Sequence, residues 1–176
     1  MVVSGVRDLL TPQHRQAIED VLTTCIVGEL LAPSKELWLM SAWISDIEVL
    51  DNSAGAYCSL APDWADGPVR LSAVFRRIAE LGGHIFVGMR RHPHNFAFVP
   101  RLRDLQREFP DRLSWKMSVE EHRKCFCGDL FALRGSMNFT YYGLNANEEQ
   151  LTLSTNISDI KKLQMELSDS WRRSVT

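Results

Sequence analysis

Leu71, Val74, Phe75, Ile78 and Leu81 recur at helical spacing, and Gly82-Gly83 stops that stripe just before the apolar run "HIFVGM" at 84–89. A one-sided helix feeding directly into a short, wholly apolar strand constrains the fold strongly, because such a strand must be covered on both faces. The same pattern recurs on either side. "ELWLMSAWI" at 36–44, bounded by Pro33-Ser34 and Ser45-Asp46, reads as another two-faced strand, and "RLSWKMS" at 112–118 as a third. Ala17, Ile18, Val21, Leu22, Cys25 and Ile26 follow Thr11-Pro12, a capping hydroxyl with proline at the first helical position, so the spacing predicts a helix over 12–31. A further helix is expected over 94–109, bent or restarted at Pro100. Strand and helix in alternation give the predicted fold class: α/β, a mixed, mostly parallel sheet sandwiched by helices.

Beyond residue 120 the rhythm changes. Extended pieces are expected over 122–128 and 130–134, a short helix over 138–144, a strand over 149–155, and an amphipathic helix from 157 to 171 carrying Ile160, Leu163, Leu167 and Trp171. Asp46 to Pro68 has no sustained period and reads as a long loop, which in a compact domain is often functional. With 176 residues, 45% of them hydrophobic, one domain spanning 1–176 is expected.

The formal charge of -2 gives no global basic signature, so a polyanion partner would have to be met by a local patch. The N-terminal stretch lacks a secretory pattern and no window reaches membrane-spanning length, so a cytoplasmic protein with no membrane partner is expected. Cys25, Cys58, Cys125 and Cys127 are dispersed and read as reduced thiols; Cys125 and Cys127 have no second close Cys/His pair at zinc-finger spacing, so no metal site is assigned.

The chemistry concentrates in "EHRKCFCGDLFALRGSMNFTYYGLNANEEQ", residues 121–150. On a strand, His122 and Lys124 share one face and Cys125 and Cys127 the other. Two neighbouring cations are unfavourable unless an anion joins them, and a phosphate is their natural guest. Ser136 and Asn138, just beyond Gly135, can also donate to an oxyanion, and Glu148 or Glu149 can return to orient the imidazole.

His122-Arg123-Lys124, four residues and then Asp129 is similar to the H-x-K-x4-D signature of the phospholipase D superfamily, and "GSMNFT" resembles that family's G-S-x-N-[FW]-[ST] segment. The resemblance implies a phosphodiesterase with no cofactor or metal, in which one histidine attacks phosphorus and a second protonates the leaving oxygen. Carried over by position, His122 is the nucleophile or the acid, Lys124 and Asn138 hold the non-bridging oxygens, Ser136 adds a hydrogen bond and Glu149 orients the histidine. Asp129 looks like a buried organiser of the motif. The link from Asp129 to Gly135 is one residue shorter than in many members. Only one such motif is present, so the resemblance implies a homodimer with a composite active site. "ELLAPSKELWLMSAWISDIEVLDN" with "GDLFALRGSMNFTYYGLNANEE" also resembles the DpdK proteins of bacterial deazapurine DNA modification and restriction, which implies DNA as substrate and allows other subunits of such a system as partners.

Arg90 and Arg91 follow a strand, at the end where α/β ligands bind, and read either as a backbone-steering patch for nucleic acid or as a solvated loop. Trp38 and Trp43 read as core or interface aromatics, and Trp64 as a plug of the core edge rather than a stacking residue. The rival functions are a phospholipid hydrolase or phosphatidyl transferase, and a non-hydrolytic nucleic-acid-binding subunit that keeps the phosphate pocket.

Overall fold

Alternate side chains of the central strands part into two separate cores, and that parting places the longer helices. The computed structural model describes residues 5–10, 15–64, 66–141, 143 and 149–173. Along them run β1 (Val6–Leu10), α1 (Arg15–Leu31), β2 (Glu36–Ser41), β3 (Glu48–Asp51), β4 (Pro68–Arg70), α2 (Leu71–Glu80), β5 (His84–Arg90), α3 (Pro93–Phe96), α4 (Val99–Glu108), β6 (Leu113–Ser118), β7 (Cys125–Cys127), β8 (Ala132–Gly135), β9 (Gln150–Ser154) and α5 (Ile157–Arg173).

Among the described residues the main sheet has seven strands in the order β1-β9-β8-β7-β2-β5-β6. β2, β5 and β6 pair in parallel, while β7, β8, β9 and β1 add antiparallel partners on one side. In direction the sheet is mostly parallel: β1, β2, β5, β6 and β8 point one way, β7 and β9 the other. Leu37, Leu39, Ile85, Val87, Phe126, Leu133 and Leu151 join a core with Ile18, Leu22 and Ile26 of α1, Val74, Phe75 and Ile78 of α2, and Leu102 and Leu105 of α4. Their alternates Trp38, Met40, Cys125, Cys127 and Ala132 form the second core with Ile160, Leu163 and Leu167 of α5. Helices therefore flank both faces, as the two-faced apolar runs require.

Burial pushes the thiols of Cys25, Cys125 and Cys127 up to about 12, so they stay protonated. All four cysteines are free. No helix among the described residues is long and apolar enough to cross a membrane.

The predicted helix over 94–109 is two helices, with Pro100 in the first turn of the second, where its missing N–H costs nothing. Three strands were not legible. Among the described residues β1 pairs with β9 alone, almost the whole chain away, and Val6–Leu10 alternates no clear pattern. Within the expected loop, β3 and β4 form a two-stranded antiparallel sheet too short to show a period. The extended piece expected over 122–128 is a strand only at Cys125–Cys127, because β2 leaves the sheet after Ser41 and offers His122 to Lys124 no ladder. Thr11-Pro12, and residues 142 and 144 of the expected 138–144 helix, lie outside the described residues. Trp64 packs partly buried against the first core, as a plug.

Candidate active site

The strand register brings the motif residues to one end of the sheet. Met40 of β2 faces Cys125, Ser41 faces Met89, and Arg90 faces Ser118, so the C-terminal ends of β2, β5 and β6 lie level with the start of β7. Cys125 faces Arg134 and Gly135 faces Leu151, which sets Lys124, Ser136 and Glu149 side by side at the same end. The Gly135 N–H donates to the Lys124 carbonyl at 3.2 Å, continuing the hairpin past the named strands. Gly135 is thus the last residue of β8, and it is glycine for closeness: a Cβ there would sit 1.8 Å from the Gln150 carbonyl oxygen.

His122 is exposed and lies in the irregular lead to β7, on the rim of an open cleft of about 580 Å³ that Lys116, Ser118, Arg123 and Ser170 also line. Its carbonyl accepts from Lys124 Nζ at 2.9 Å. Partial burial lowers the Lys124 ammonium from its ordinary 10.5, an effect that the nearby charges of Glu149 and Glu121 oppose. The segment is held by residues that sequence reasoning passed over. Glu121, buried, accepts from Arg123 Nε at 2.9 Å, from a terminal guanidinium nitrogen at 2.6 Å and from the Arg123 backbone N–H at 3.1 Å. Burial alone would push the Glu121 carboxyl up, but its hydrogen bonds with Arg123, that charge and Lys116 outweigh it and hold the group below 4.5.

Asn138 is buried beneath the same end, and its orientation is settled by what its oxygen accepts. Ser41 Oγ donates to Asn138 Oδ1 at 3.1 Å and the Trp43 backbone N–H does so at 3.2 Å. The carboxamide nitrogen is left as the outward donor, the polarity an anion needs. Ser41 could have been found as a polar residue closing an apolar strand; its partner, 97 positions away, could not.

Ser136 is engaged differently from expectation. Its hydroxyl donates to Glu149 Oε2 at 2.5 Å and accepts from the Gln150 N–H at 2.9 Å, so the proton foreseen for a ligand goes to a carboxylate. Glu149 is buried and accepts this hydroxyl. Glu148 lies outside the described residues, as do His14 and Tyr142, whereas Tyr141 is exposed.

Asp129 corrects the expectation of a buried organiser: it is exposed and lies at the far end of β7 from His122. It still organises. Its carboxylate accepts from the Lys35 N–H at 3.0 Å and from Gln164 Nε2 at 3.2 Å, and its own N–H donates to Ser34 Oγ at 2.6 Å, joining β2, β7 and α5. Arg90 and Arg91 are exposed at the motif end, where β5 stops, with the Arg91 N–H tied to the Ser118 carbonyl at 2.9 Å. Trp38 is in the core, whereas Trp43 is 41% exposed.

No family model matches the sequence, and no curated protein does so by sequence. Solved structures do match. NucT from Helicobacter pylori is similar with a TM-score of 0.62 at 11% identity, over 94% of each chain. Nuc from Salmonella typhimurium, described as a phospholipase D family member, gives a TM-score of 0.60 at 12% identity, over 96% of this chain and 95% of its own. Phosphatidylserine synthase from Haemophilus influenzae matches 97% of this chain but 39% of its own, with a TM-score of 0.54 at 14% identity. At these identities the likeness speaks to architecture, and the architecture agrees with the one implied by the H-x-K-x4-D and G-S-x-N segments: the chain has the phospholipase D fold.

Proposed function

We propose that the chain is a metal-independent phosphodiesterase, a nuclease cutting DNA at a site shared by two copies, with a DpdK-like role in bacterial DNA modification and restriction. The observation that carries the reading is the gathering of His122, Lys124 and the outward carboxamide nitrogen of Asn138 at one sheet end. An ammonium and an amide donor match the non-bridging oxygens of a phosphodiester, and an exposed imidazole matches its phosphorus. In the first step a ring nitrogen of His122 bonds to phosphorus while the bond to the leaving oxygen breaks. The imidazolium of His122 from the second copy gives that oxygen its proton. Water then attacks phosphorus, passing a proton to the same imidazole, and the phosphorus–nitrogen bond breaks. One motif per chain requires the second copy, and two-fold symmetry provides it.

Labelled single- and double-stranded DNA, incubated in EDTA with the parent protein and with His122→Ala, tests this directly. Cleavage by the parent alone supports the nuclease. Binding by both without cleavage points to a non-hydrolytic nucleic-acid-binding subunit, and release of a headgroup from phospholipid vesicles without DNA cleavage to the phospholipid reaction.

A further inference from the structure

Trp43 follows a buried strand, yet it is 41% exposed at the motif end of the sheet, one of several exposed apolar side chains that include the nearby Phe96. The neighbouring rings are those of His92 and His94, with centroids 6.1 and 6.3 Å from it and planes tilted by 47° and 46°. One side chain ties together the backbone segments that carry the three rings. Asn95, fully buried, donates from Nδ2 to the carbonyls of Ala42 at 2.8 Å and Arg90 at 2.6 Å, and accepts the Ile44 N–H on Oδ1 at 2.8 Å. It thereby staples the segment carrying Trp43 to the turn carrying both histidines.

The staple is reinforced on each side. Ser45 Oγ and His94 Nε2 are 2.9 Å apart, and the His94 N–H donates to His92 Nδ1 at 3.3 Å. The Trp43 N–H reaches Asn138 Oδ1, which fixes the platform against the phosphate-facing amide. Arg90 and Arg91 stand exposed beside it on a chain whose net charge is only -2, so the cationic character is local. By pairing backbone groups of both segments, the buried asparagine fixes where the indole stands relative to the histidines.

We propose that Trp43, with His92 and His94, is a stacking platform for an unpaired nucleobase, while Arg90 and Arg91 hold the flanking phosphates. Single-stranded nucleic acid is therefore the ligand class. A base inside a duplex already has both faces stacked and cannot lie on the indole, whereas an unpaired base can, whatever its identity. The inference deepens the nuclease reading and rests on it for the placing of the scissile phosphate.

The test measures binding to oligothymidylate and to a blunt duplex of equal length, in the cleavage-defective His122→Ala background. Trp43→Ala is expected to weaken binding to the single strand about tenfold and to the duplex less than about twofold, with Trp43→Phe retaining most affinity. Fluorescence of the parent minus that of Trp43→Phe should be quenched by the single strand alone. Equal losses for both ligands, or none, overturn the platform, as does a concentration-dependent shift of the Trp43 emission without DNA, which would place the indole between copies. The two readings fail separately: a parent that never cleaves but shows Trp43-dependent binding loses the nuclease and keeps the platform, and a cleaving parent indifferent to Trp43 does the reverse.

Discussion

Glu121 and Arg123 close a charged bracket around His122, with the carboxylate meeting both the guanidinium and the backbone N–H of Arg123. Glu121 is buried and Arg123 only partly so, which makes the pair a fixed support for the exposed imidazole between them. Glu121→Gln keeps the shape and loses the charge-assisted bonds, so stability should fall by about 1.5–3 kcal/mol in denaturant unfolding. Cleavage should drop mainly in kcat, since the change displaces His122 rather than a substrate contact.

The same pair sets an acid limit. The Glu121 carboxyl is held below 4.5 in the folded state. Its contribution is therefore complete above that value and is lost as pH falls through the depressed folded-state pKa. The parent's melting temperature should decline more steeply than that of Glu121→Gln as pH is lowered below 4.5.

Glu29 works in the opposite sense. It is buried, with burial pushing its carboxyl above 4.5 despite the hydrogen bonds it accepts from Ser34, and Asp129 adds to the rise. A carboxyl raised by folding favours the native state at low pH and loses that contribution as pH climbs from 4.5 through its folded-state value. Glu29→Gln should flatten the stability profile over that interval, measured by urea unfolding at stepped pH.

Gly135→Ala tests the closeness of β8 and β9 next to the site. The added methyl would lie 1.8 Å from the Gln150 carbonyl oxygen, which is backbone and cannot rotate away. A loss of about 3 kcal/mol is expected, together with reduced cleavage, because Ser136 and Glu149 immediately flank the two strands being forced apart. Ser136→Ala removes the hydroxyl bridge without that clash. It should cost about 1–2 kcal/mol and leave the sheet intact by circular dichroism.

Lys124 should titrate early. Its ammonium is lowered from 10.5 chiefly by burial, so cleavage should lose its alkaline limb below that pH. Lys124→Arg retains charge but replaces a point donor with a planar fork, and activity should fall at least about a hundredfold at neutral pH.

The sequence carried what is local. The stripe ending at Gly82-Gly83, the two-faced runs of β2 and β5, the proline restart before α4 and the order of the motif segments all follow from periodicity and near neighbours, and the structure realises them. Tertiary structure decided what depends on partners far along the chain. β1 exists because β9 reaches it, Asn138 points its nitrogen outward because Ser41 and Trp43 take its oxygen, and Asp129 serves Lys35 and Gln164 from an exposed place at the far end of β7. The backbone on either side of Trp43 is tied to the turn after β5 by Asn95, which reads in sequence as one more polar loop residue. Hydrophobic period records which face of an element seeks cover; hydrogen bonds between distant loops leave no period, so their geometry appears only once the sheet has brought the strand ends together.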